Sequence, residues 1–158
     1  TEINERVERQ LGNTEVVLFP CGNAHSPGDL LVWLPQKRTL IAGDVVYSDR
    51  MPSTFDADVR QWIGLLEQLQ SLNPKPSVVI GGHGRVTDMD GIQRLHDLLS
   101  DFWNAVAEGY EAGKASYEMV PDVETALAAY REQYPGLNEK VQRDIGRVYL
   151  QVEAASFE

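Results

Sequence analysis

Cysteine is nearly absent from this sequence, with Cys21 the only one in 158 residues. No disulfide can form within the chain, and zinc sites built from several thiolates are excluded. Histidine is scarce as well: His25, His83 and His96 are the full set. No apolar run approaches the roughly 20 residues that a membrane-spanning helix needs, so a membrane is not expected as partner. Internal repeats and low-complexity stretches are missing too. Positive charge is in deficit, with 14 Lys plus Arg against 24 Asp plus Glu and a formal net charge of −10. A field of that sign repels phosphate backbones, which argues against nucleic acid. The first 13 residues hold neither the basic start nor the apolar stretch of a secretory leader. The cytoplasm is therefore the default expectation for compartment, with the periplasm as alternative because the chain opens on Thr1 and not Met.

What is present suits one globular domain spanning residues 1–158. A hydrophobic fraction of 42% is enough to build a core in a chain of this length. Residues 16–19 form an apolar, β-favouring run closed by Pro20. Residues 30–34 and 39–42 read as a hairpin around the polar turn Pro35-Gln36-Lys37-Arg38, and residues 77–80 as a further strand. Their near-continuous apolar character predicts burial on both faces, as in a sheet covered by helices.

Between residues 57 and 72 the period changes. Trp62, Leu65, Leu69 and Leu72 recur at helical spacing, and Asn73-Pro74-Lys75-Pro76 ends the helix. Ile92, Leu95, Leu99, Phe102 and Val106 mark a long helix over residues 88–112. A second is expected over residues 121–134, ended by Pro135-Gly136. A third is expected to be capped by Asn138, with Val141, Ile145, Val148 and Val152 buried. The pattern is an α/β layer arrangement, with a helical tail over residues 113–158.

Chemistry concentrates in three glycine-bearing segments that follow expected strands: Ala24-His25-Ser26-Pro27-Gly28-Asp29, Ala42-Gly43-Asp44 and Gly81-Gly82-His83-Gly84. Each presents one group able to bind a metal. Strand ends are where loops converge in α/β proteins, and glycine lets the backbone come close to a bound ion. Imidazole and carboxylate suit zinc or iron, with water in the remaining positions. Each of these groups also has a plain structural role open to it: His25 and Asp44 as turn residues, Asp29 as a polar turn residue. His96, in mid-helix between Ile92 and Leu99, reads as a partly exposed surface residue, and Cys21 as a small buried side chain. Residues 47–50, Tyr-Ser-Asp-Arg, follow Asp44 on an expected loop that could face a substrate.

In order and spacing, with 19 residues from His25 to Asp44 and 39 from Asp44 to His83, these segments resemble the second half of the metallo-β-lactamase superfamily. The resemblance is strong over residues 16–86 and looser over the helical tail. It implies half of an αββα sandwich, a mixed β-sheet with flanking helices, whose two similar halves face each other across the site. It also implies that His25 ligates a first metal, that Asp44 bridges both metals as the catalytic carboxylate, and that His83 completes the second. Asp29 would stand behind a ligand histidine. The implied cofactor is Zn²⁺, one or two ions in the complete fold, with iron or manganese as alternatives.

The superfamily's upstream His-x-His-x-Asp-His cluster is not in this sequence, so two ligands of each metal would lie elsewhere. That reads as a fragment, or as a natural half-domain pairing with a copy of itself. The expected function of the parent protein is zinc-dependent hydrolysis of an ester, thioester, amide or lactam bond in a small-molecule substrate. The alternative is a catalytically silent half-domain that associates through an exposed sheet face, as a homodimer or with the missing N-terminal half. A mononuclear iron site of two histidines and one carboxylate is a narrower reading.

Overall fold

The computed structural model of the chain describes residues 4–157; Thr1, with which the chain begins, lies outside them. Its sheet has five strands in the order β1-β2-β3-β4-β5. These are β1 (Val7–Leu11), β2 (Thr14–Asn23), β3 (Pro27–Leu34), β4 (Thr39–Tyr47) and β5 (Val78–His83). The first four pair antiparallel, whereas β5 runs parallel to β4. Parallel neighbours need a crossover, and helix α1 (Val59–Gln70) provides it. The long helix α2 (Met89–Glu111), the short α3 (Val120–Ala126) and α4 (Leu137–Ala155) complete the chain. Helices α1 and α2 lie against the sheet, and α3 and α4 pack onto α2. No helix among the described residues is long and apolar enough to cross a membrane.

Strand alternation decides which side chains meet the helices. Val17, Leu31, Trp33, Leu40, Ala42 and Val79 point to the helical side and are buried with Trp62, Leu66, Leu95 and Phe102. The opposite face carries Leu18, Val32, Ile41 and Ile80, aligned across four strands by the register Leu18↔Val32, Val32↔Ile41 and Ile41↔Ile80. Ile41 and Ile80 are each 38% exposed and Leu30 39%. The expectation of strands buried on both faces is therefore corrected: one face is covered and its apolar opposite is open.

Several boundaries differ from the sequence expectation. The edge strand β1 has no apolar pattern to announce it, since four of its five residues are exposed. Strand β2 continues through Pro20, which is tolerated because the ladder to β3 slips there, between Pro20 and Gly22. Strand β4 runs on past Ala42-Gly43 to Tyr47, so Asp44 lies inside an irregular strand and not beyond its end. The helix expected over residues 121–134 ends at Ala126 and gives way to a 3₁₀ turn at Ala128–Tyr130. Helix α4 begins at Leu137 with Gly136 at its N-cap, in place of Asn138. Gly136 has φ of 82°, a left-handed conformation that favours glycine and turns the chain sharply after Pro135.

His96, on α2, has a side chain 17% exposed. Its ring nitrogens reach Asp97 at 3.0 Å and, across to α1, Glu67 at 3.2 Å. Burial alone would depress its pKa, but the hydrogen bonds and charges of Asp97 and Glu67 outweigh it and raise the value.

Candidate metal centre

Strands β4 and β5 end side by side, and glycine lets them do so. A Cβ on Gly81 would strike the carbonyl of Val46, one on Gly82 the carboxylate and backbone amide of Asp44, and one on Gly84 the carbonyl of Ser48. Gly84 also has φ of +88°, a region in which L side chains are strained. The backbone amide of Ser48 donates to the carbonyl of His83 at 3.0 Å. The result is a close pair: His83 Nε2 lies 3.6 Å from Asp44 Oδ1, each side chain roughly half exposed at 44% and 43%.

His25 arrives from the turn between β2 and β3. Asp29 closes that turn, its carboxylate accepting from the backbone amide of Ser26 at 2.9 Å and from the Ser26 hydroxyl at 2.6 Å. Its hydrogen bonds therefore go to Ser26 and not to a histidine. The His25 ring rests against the edge of Trp62, with centroids 5.2 Å apart at 79°. Trp62 is itself fixed, its indole N–H donating to the carbonyl of Val45 at 2.8 Å.

Tyr47 stands between the two histidines. Its ring centroid is 5.6 Å from that of His25 and 4.9 Å from that of His83, and its hydroxyl is 3.5 Å from His25 Nε2. Burial first, then the negative charge of Asp44, push the phenol up to about 12. At neutral pH it is therefore protonated. The structure thus brings His25, Asp44 and His83 to one end of the sheet, with Asp44 and His83 adjacent and His25 across Tyr47. Among the described residues, no group of three or more His, Cys, Asp or Glu side chains is close enough to hold one ion.

Sequence reasoning gave Tyr47 no distinction from its neighbours and read Trp62 purely as core. Only the chain path puts these two rings against His25. Two buried polar atoms beside the site, Asn23 Oδ1 and Ser48 Oγ, have no partner. Cys21, whose thiol burial pushes up to about 11, donates to the carbonyl of Phe19. On the outer side, Asp49 accepts from Arg85 Nε and Nη2, both at 2.9 Å, and from its backbone amide at 3.0 Å. This bidentate pair joins the segments that follow β4 and β5. It also borders an open groove of about 800 Å³ lined by Asp90, Arg94 and Glu132.

The fold is of α+β class, a mixed five-stranded sheet with helices against one face. No family model matches the chain. It is 32% identical over 93 residues to the metallo-beta-lactamase type 2 of Bacillus sp. (strain 170), matching 57% of this chain and 36% of that protein. It is 27% identical over 96 residues to its counterpart from Elizabethkingia meningoseptica, matching 59% and 39%. Among solved structures, the metallo-beta-lactamase from Pontibacter korlensis superposes with a TM-score of 0.57 at 26% identity, covering 62% of this chain and 47% of that one. The DIM-1 metallo-beta-lactamase gives 0.52 at 26%, covering 59% and 45%. Over the matched stretch, the chain is similar to metallo-β-lactamases in both sequence and fold. It spans less than half the length of each of these relatives.

Proposed function

We propose that this chain supplies part of the metal site of a hydrolase of the metallo-β-lactamase type. Asp44 and His83 would hold one ion, with Asp44 shared, and His25 would serve its neighbour. The adjacency of Asp44 and His83 carries this reading: a separation of 3.6 Å suits an oxygen and a nitrogen bound to one zinc at about 2.0–2.1 Å each. The donor set, neutral imidazole and carboxylate, is one that Zn²⁺ accepts, as iron and manganese also do. When bound, such an ion lowers the pKa of water to about 7 and polarises a carbonyl oxygen. The chain's own residues orient that centre. Tyr47, kept protonated, packs its ring between those of His25 and His83 and spaces the two imidazoles. The packing of Trp62 against His25 restricts the imidazole to one ring plane. The substrate class we infer is a small molecule with an ester, thioester, amide or lactam bond.

Calorimetric titration with zinc tests this. The chain is expected to bind weakly, because the superfamily's upstream ligands are not in its sequence. Asp44→Asn and His83→Ala should each weaken binding by at least about tenfold, roughly 1.4 kcal/mol, while His96→Ala should change nothing. Equal affinity in all four proteins would remove the assignment. No uptake by any of them would favour the catalytically silent half-domain.

We further infer that the open face of Leu18, Val32, Ile41 and Ile80 receives a second sheet, from another copy or from the remaining part of the superfamily sandwich. Apolar surface left in water costs roughly 25 cal/mol per Å², which favours covering it. Sedimentation at micromolar concentration should show self-association of the chain, abolished by Ile41→Lys without loss of secondary structure. A monomer at all concentrations would exclude the second copy as the cover.

A further inference from the structure

We propose that helix α4 is a positioning element for the site, with Asp144 and Gln151 holding the segment that fixes His25. Residues 51–58 run from β4 to α1 without helix or strand. Their own backbone bonds are few, so side chains from elsewhere set their path. Asp144, only 1% exposed, accepts from the backbone amide of Thr54 at 2.8 Å and from the Ser53 hydroxyl at 3.3 Å. Its neighbour Arg143 donates to the same hydroxyl at 2.6 Å.

Two turns further along α4, the amide of Gln151 makes a matched pair of bonds. Its Oε1 accepts from the backbone amide of Val59 at 2.9 Å, and its Nε2 donates to the carbonyl of Ala57 at 2.8 Å. The Val59 amide opens α1 and has no partner within that helix. Asp58 caps the amide of Gln61 in the same first turn, and Gln151 adds a cap for Val59 from a different helix. An apolar side chain at position 151 could fill the same volume, but it would leave both backbone groups unpaired.

The braced segment reaches His25 by two routes. The backbone amide of Asp58 donates to the carbonyl of Ala24 at 2.9 Å, the residue just before His25. Helix α1, which the brace starts, carries Trp62 against the His25 ring. A shift at residues 57–59 therefore moves the imidazole through its backbone and through its ring contact. The link from α4 to His25 stands on these bonds alone; its effect on metal rests on the proposed centre.

Nuclear magnetic resonance of the metal-free protein can follow the three histidine Cε1–Hε1 signals separately. Gln151→Ala and Ser53→Ala should each shift the His25 signal and leave that of His96 in place. Gln151→Glu keeps the acceptor for Val59 and should restore the signal partway. Val141→Ala thins the packing of the same helix without touching a bond to the segment, and should leave His25 unmoved. In zinc titration, Gln151→Ala should then bind about tenfold more weakly than the parent, and Val141→Ala like the parent. A His25 signal indifferent to Gln151→Ala, or moved equally by Val141→Ala, would overturn the brace. A shifted His25 signal with no zinc uptake by any variant would keep the brace and remove the metal centre.

Discussion

Replacing Trp62 by alanine is expected to lower the free energy of unfolding by about 3–5 kcal/mol. The side chain is fully buried at the junction of α1 with the sheet, so truncation leaves a cavity between rigid elements. It also strips a hydrogen bond that the ladder does not replace. Val45 sits in the irregular part of β4, between the pairings Gly43↔Gly81 and Tyr47↔His83, and its carbonyl accepts from the Trp62 indole. Because typical domains are stable by only about 5–15 kcal/mol, the loss should be plain in a urea transition. Trp62→Phe, which loses the hydrogen bond and part of the ring volume, should cost less than the alanine variant, about 2 kcal/mol. An alanine variant within about 1 kcal/mol of the parent would mean that this packing does not anchor α1.

The second large effect is expected at Asp144. Asp144→Ala should cost about 3 kcal/mol, since it leaves the Thr54 amide and the Ser53 hydroxyl without their acceptor inside the protein. The same carboxylate sets a pH dependence. Burial opposes its charge, but the Arg143 guanidinium and the Thr54 amide outweigh burial, and its pKa is held below the ordinary aspartate value. Its contribution is therefore complete above about pH 4, the unfolded value. It is lost as acid carries the pH down through the lower folded value. Urea midpoints measured from pH 7 downward should fall more gently in Asp144→Asn than in the parent across that acid range. Parallel curves would show that Asp144 is not a charged acceptor in the folded protein.

Much of the architecture was legible before any coordinates. The stripes Trp62–Leu72 and Ile92–Val106 do face the core, with Leu65 and Leu72 only partly buried, because an amphipathic helix has a single way to bury its apolar face. The four strands named from apolar runs exist, each longer than its run. Polar or interrupted segments were not legible. β1 is held by pairing with β2 and not by burial of its own residues. The extension of β4 past Gly43 follows from contact with β5, which no local pattern announces. The region after residue 113 was expected as two helices. It contains α3, α4 and two 3₁₀ turns, at Ser116–Glu118 and Ala128–Tyr130, and Gly136 rather than Asn138 precedes the last helix.

The sequence alone determined the set of chemical groups and their order: His25, Asp44 and His83, each set among glycines near a strand end. It also determined that the upstream ligand cluster is not part of this chain. Spacing and residue type are local properties, and they survive in a string of letters. Tertiary structure alone decided which of these groups touch. It brought His83 beside Asp44 by laying β5 against β4 over three glycines, and it inserted Tyr47 between the histidines. It also tied Asp144 and Gln151 to a segment some 90 residues away. Contacts at that separation depend on how the layers pack, and packing is set by the summed burial of many side chains rather than by any motif.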